Sequence, residues 1–105
     1  MSSIIKGVLK EEYGRLKRLI QAYKKEIQKY PKGSISIKQK RERFYAYLAY
    51  WKNGSAHFKY LGPASADKVK KIEQQIKDRR KCEALLKEAK IYFKEVSKVT
   101  HGHQI

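Results

Sequence analysis

The sequence predicts an α+β fold: two long antiparallel helices flanking a three-stranded antiparallel β-meander. Three observations lead there. Apolar residues recur at helical spacing up to Tyr30, the period falls to two between Ser34 and Leu61, and helical spacing returns after Gly62-Pro63.

In the first segment Leu9, Tyr13, Leu16, Ile20, Tyr23, Ile27 and Tyr30 follow one another at alternating steps of four and three. That spacing puts all of them on one stripe of a helix. Gly14 weakens the helix without ending it. Pro31 ends it, so the first helix is expected from about Ser3 to Tyr30. Pro31-Lys32-Gly33 is a turn signal, and Ser34-Ile35-Ser36-Ile37-Lys38 then alternates as a strand.

The stretch Arg43–Lys52 is rich in aromatics, and Asn53-Gly54 supplies the residues of a tight type I′ turn. A two-residue turn there sets Trp51 opposite Ala56, Ala49 opposite Phe58 and Tyr47 opposite Tyr60. One face of the hairpin then carries Tyr45, Tyr47, Trp51, Phe58 and Tyr60. The other carries Phe44, Ala46, Leu48, Tyr50, His57, Lys59 and Leu61. Only one face packs easily on the helices. The favoured expectation is that the aromatic face forms the sheet's half of the core.

Ser65 or Asp67 is the expected N-cap of the second helix. Val69, Ile72 and Ile76 begin its apolar stripe, and Cys82, Leu86, Ala89, Phe93 and Val96 continue it. The two halves differ in register near Arg79, as in a stammer. The helix is expected from about 66 to 98, pairing its Ile72-to-Val96 stripe with the Leu9-to-Tyr30 stripe, and the tail 99–105 is expected to fray. A seam of that length also offers a homodimer contact.

The chain has 105 residues, which supports a single domain over 1–105 with one modest core. No stretch approaches the roughly 20 apolar residues that span a bilayer. Lys6 and Lys10 interrupt the apolar residues near the start, where no signal-peptide pattern is read. One cysteine makes no intramolecular disulfide. A cytoplasmic protein of a prokaryote or of a phage's host cell is the expectation, without a membrane partner.

With 26 Lys and Arg against 10 Asp and Glu, the formal charge is +16. Such a field draws polyanions, of which nucleic acid is the commonest inside cells. Residues 32–61 carry seven basic residues and one acidic residue, Glu42. Lys38, Lys40, Arg41 and Arg43 cluster around the first turn of the meander, and Lys52 and Lys59 belong to the second hairpin. Together with Tyr50 and Trp51 as stacking rings, and with the Arg79-Arg80-Lys81 cluster, these are the candidate nucleic-acid-binding residues.

Catalytic chemistry finds no motif. Glu42 has no partner carboxylate in the middle segment. Lys32-Gly33-Ser34 reverses the order of a phosphate-binding loop and has no following helix. His101-x-His103 supplies two of the three or four ligands that a protein zinc site needs. His57 on a strand and Cys82 on an apolar stripe read as packing residues. No enzyme activity, cofactor or metal is expected.

The segments Pro31-Lys32-Gly33-Ser34-Ile35, Tyr45-Ala46-Tyr47-Leu48-Ala49-Tyr50, Asn53-Gly54 and Lys59-Tyr60-Leu61-Gly62 resemble a family of small uncharacterised prokaryotic proteins. In that family two helices flank a short sheet. Similar hairpins with a Tyr-Leu-Gly ending occur in phage, integrase and transposase proteins. The returning strand of that family often carries alternating lysines where this chain has Ser55 and His57. The resemblance implies a mobile-element protein that binds DNA or RNA. The alternative it raises is an inhibitor or accessory protein that binds a host nucleoprotein enzyme such as a CRISPR nuclease.

Overall fold

The computed structural model describes residues 3–101. The elements run α1 (Ser3–Ile27), β1 (Ser34–Lys40), β2 (Arg43–Lys52), β3 (Ser55–Pro63) and α2 (Asp67–His101). The class is α+β, with an antiparallel sheet in the order β1-β2-β3. The described chain divides into two compact units, residues 30–80 and residues 3–29 with 81–101.

In the sheet unit both turns are tight. Lys40 pairs with Arg43 across Arg41-Glu42, and Lys52 pairs with Ser55 across Asn53-Gly54. Asn53 and Gly54 take φ of 51° and 78°, as the expected type I′ turn requires. The register expected from that turn holds from Lys52↔Ser55 to Tyr47↔Tyr60. Beyond it the structure has an irregularity: Ala46 pairs with Gly62, which leaves Leu61 as an extra residue. The bulge carries β3 on to Pro63, past the expected end at Leu61.

The core of this unit corrects the expectation about faces. Ala46, Leu61 and Val69 form a buried cluster, joined by Ile35, Leu48, Ala66 and Ile72. The start of α2 therefore packs on the aliphatic face of the sheet. The aromatic face is not the sheet's half of the core. The physical reason is closeness. Ala46, fully enclosed at 0% exposure, lets the helix approach where a ring would hold it off.

The same packing explains the helix start. Lys70 N–H donates to the Ala66 carbonyl at 3.3 Å, so Ala66 holds the N-cap position, not Ser65 or Asp67. Ala66 is used there because its side chain joins the core. Asp67 lies in the first turn, where the helix dipole favours a carboxylate. Further along α2, the Arg79 guanidinium donates from Nη1 to the Tyr30 carbonyl at 2.9 Å, tying down the segment that leads into β1.

In the helical unit Leu16, Ile20 and Ile27 of α1 and Cys82, Ala89 and Val96 of α2 are buried. Tyr13 stacks on Phe93 with ring centroids 4.8 Å apart. The Cys82 thiol donates to the Tyr23 carbonyl at 3.7 Å. Positions rising along α1 thus meet positions falling along α2, which makes the pair antiparallel. Burial pushes the Cys82 thiol pKa up, helped by the negative charges of Glu26 and Glu83.

Other boundaries also differ from expectation. Helix α1 ends at Ile27, short of Tyr30, because a residue before proline is driven from helical angles and Lys29 N–H closes a tighter turn onto Glu26. Helix α2 runs through His101, so residues 99–101 are helical and not a frayed tail. Residues 102–105 of that tail, His103 among them, lie outside the described residues. The pairing of stripes is narrower than expected, since Ile72, where the expected stripe began, serves the sheet. The register slip near Arg79 falls where α2 passes from one unit to the other.

Two glycines at positive φ separate steric from conformational cost. A Cβ on Gly33 (φ +123°) would lie 2.2 Å from the Ala49 carbonyl oxygen, whereas one on Gly54 would meet nothing within 4 Å. Gly33→Ala is expected to cost about 3 kcal/mol, and Gly54→Ala about 1–2 kcal/mol. Urea midpoints of the two variants check this, and equal losses would contradict it. In a second measurement, Cys82 in the folded protein should react with a disulfide reagent at least about tenfold more slowly than in the urea-unfolded chain. Equal rates would show an accessible thiol.

Candidate nucleic-acid interface

The candidate interface lies on the sheet face that α2 does not cover. Cross-strand partners project from the same side of an antiparallel sheet. Lys38 pairs with Tyr45, Ser36 with Tyr47 and Lys40 with Arg43. On the other side of β2, Tyr47 pairs with Tyr60, Ala49 with Phe58 and Trp51 with Ala56. The polar alternate positions of β1 therefore share a face with the aromatic alternate positions of β2 and β3.

Exposure is high across this face. Trp51 is 67% exposed, Phe58 52% and Tyr60 53%. Tyr45 and Tyr47 are half-buried, each beside the Tyr60 ring. Tyr60 lies 5.4 Å from Tyr47 and 6.2 Å from Tyr45, centroid to centroid, with tilted rings. Water is a poor solvent for such a patch, and a patch of rings rimmed by charge marks an interaction surface.

Lys38 crosses this face. Its Nζ lies 4.4 Å from the Phe58 ring centroid and 4.9 Å from that of Tyr47. Ala49, next to both, is small enough to leave the path open. The ammonium thus meets the faces of these two rings.

The basic end lies at the β1–β2 turn. Lys40, Arg41, Glu42, Arg43 and Tyr45 line an open hollow there. Arg41 is held at φ 61°, and the Gln39 side-chain amide donates to its carbonyl at 3.1 Å. The carbonyl is thus engaged, and the guanidinium is presented on an exposed residue. Glu42 is the acidic residue in this cluster.

The structure brings together Lys38, Lys40, Arg43 and Trp51 on one face, with Arg41 at its end. It does not bring the other sequence candidates there. Tyr50, Lys52 and Lys59 belong to the opposite face, where Tyr50 stacks on His57 at 5.4 Å. His57 is also within 3.2 Å of the Ser55 hydroxyl. Arg79 is half-buried on the Tyr30 carbonyl, while Arg80 and Lys81 are exposed on α2. Sequence reasoning missed Tyr45, Tyr47, Phe58 and Tyr60 as candidates. The signal was present in β1: Ile35 belongs inside, so Ser36 and Lys38, one step on, belong outside with their cross-strand partners.

Residues 9–71 match the family described as domain of unknown function DUF6788. The chain belongs to this family. The span matched to DUF6788 contains the whole aromatic face and its basic end, and stops before Arg79. No curated protein and no solved structure matches the chain. Among the described residues no group of three His, Cys, Asp or Glu is placed to hold a metal ion, and no helix is long and apolar enough to cross a membrane.

Trp51 is the single tryptophan, so its emission reports this face alone. It should emit at the wavelength of solvated indole and shift little when the protein unfolds in urea. A marked red shift on unfolding would mean that the face is covered in solution.

Proposed function

We propose that this chain is a non-enzymatic, basic nucleic-acid-binding protein of phage or mobile-element type that holds phosphates at the β1–β2 end of its sheet. The observation that carries the reading is the exposed aromatic face with Lys38, Lys40 and Arg43 on it. Rings and cations on one open surface match the two parts of a nucleotide, a flat base and a charged phosphate. The +16 charge supplies long-range attraction, and the middle segment has least acid to oppose it. The likeness of the central hairpin to those of phage, integrase and transposase proteins supports the same reading. No catalytic group is part of it.

Binding of labelled nucleic acid across a salt series tests the proposal. Each phosphate contact contributes a slope of about −0.7 for a single strand, or about −0.9 for a duplex, to log K against log salt. Arg41→Asn keeps a residue that tolerates positive φ while removing the charge. Combined with Arg43→Gln, it should flatten the slope by about 1.4 for a single strand or about 1.8 for a duplex. An unchanged slope would remove the turn from the interface. Loss of all binding near physiological salt, with tight capture of a nucleoprotein enzyme such as a CRISPR nuclease, would favour the inhibitor role.

A further inference from the structure

The rings of this surface bear on which form of nucleic acid the proposed function implies. In a duplex the flat faces of the bases are stacked on one another, and only their edges reach the grooves. A surface that presents ring faces therefore has nothing to stack on in a duplex. A surface built to read a groove would present hydrogen-bonding side chains on a protruding element instead. Here Trp51, Phe58 and Tyr60 stand exposed on the sheet, and apart from the tyrosine hydroxyl and the indole N–H they carry no hydrogen-bonding group with which to read a groove.

We propose that the ligand is single-stranded nucleic acid, whose unstacked bases lie on Tyr47, Phe58, Tyr60 and Trp51 while its phosphates run past Lys38, Lys40 and Arg43. This rests on the nucleic-acid reading above and narrows it. The dimensions fit. Tyr47 and Trp51 are four residues apart on β2, about 13 Å along the strand, which spans two or three splayed bases. Opposite Tyr47 on β1 is Ser36, and Lys38, Lys40 and Arg43 follow at Tyr45 and beyond, so the phosphates continue along the strands past the Tyr47 end of the ring row. Lys38 joins the two halves. In the free protein its ammonium rests on Phe58 and Tyr47, where a base would lie. A stacking base displaces it, and a phosphate on the β1 side receives it. Lys38 thus exchanges a cation–π contact for an ion pair.

The test uses the full chain and a fluorescently labelled oligonucleotide of about 20 residues as single-stranded DNA, as the matching RNA, and as a DNA duplex with its complement. The expected result is single-strand binding at least about tenfold tighter than duplex binding at near-physiological salt, with quenching of Trp51 emission by the single strands only. Phe58→Ala or Tyr60→Ala should weaken single-strand binding roughly 5- to 100-fold, and Phe58→Tyr should restore it. Both side chains are exposed, and far-ultraviolet circular dichroism confirms that the variants fold. Duplex binding as tight as single-strand binding, with Trp51 unquenched and Phe58→Ala silent, overturns this inference and leaves phosphate binding at the turn standing. Absence of binding by all three probes overturns both. The DNA and RNA arms identify which single strand is preferred.

Discussion

The contact between the aliphatic face of the sheet and the first turns of α2 governs the rest of the sheet unit. Ala46, Leu61 and Val69 close against one another with Ile35, Leu48 and Ile72 around them. A sheet of this size has two faces and one covering helix. Once α2 takes the face with the small and branched side chains, the other face has no covering partner in the unit. The exposed rings follow from a choice made on the opposite side. The bulge at Leu61 lies at the same contact: a regular ladder would pair Leu61 with Ala46, and the extra residue brings Gly62 opposite Ala46 while Leu61 stays in the core.

Large rings and long lysines make a workable outer face because they shelter one another. Tyr60 leans on Tyr45 and Tyr47, and Lys38 lays its stem and ammonium across Tyr47 and Phe58. Such contacts offset part of the cost of leaving rings in water. They also keep the face open, since each is a side-chain contact that a ligand can replace without disturbing the ladder. The tight turn at Arg41-Glu42, with its carbonyl held by Gln39, adds charge at one end of that face. On the proposed reading, base stacking and phosphate binding are separate terms located at different parts of the face.

The two units differ in how their sequences show them. The helical unit follows from spacing alone, because Leu16, Ile20 and Ile27 keep one stripe and Cys82, Ala89 and Val96 keep another. The phase change between Ile76 and Cys82 was visible as a slip of register. Its meaning, a change of packing partner, was not, because a stripe states that a helix is covered and not by what. The ends were less legible than the middles. Tyr30 continues the apolar spacing, yet the neighbouring proline stops the helix sooner. Ala66 caps α2 without a capping side chain, since packing its methyl group outweighed the missing hydrogen bond.

By itself the sequence determined the elements, their order, the Asn53-Gly54 turn and the register of the hairpin as far as Tyr47. Each rests on local rules: the period of apolar residues, the angles that Asn53-Gly54 adopts, and the alternation of a strand. It also determined which side chains share a face. Which face is buried was decided by tertiary structure. Both faces carry apolar atoms, so hydrophobicity did not distinguish them. The distinction came from shape, because a helix approaches alanine and leucine more closely than rows of tyrosine and tryptophan. Candidate residues chosen by type alone were therefore divided between the two faces, and Tyr47, Phe58 and Tyr60 joined the candidate surface only when α2 was placed.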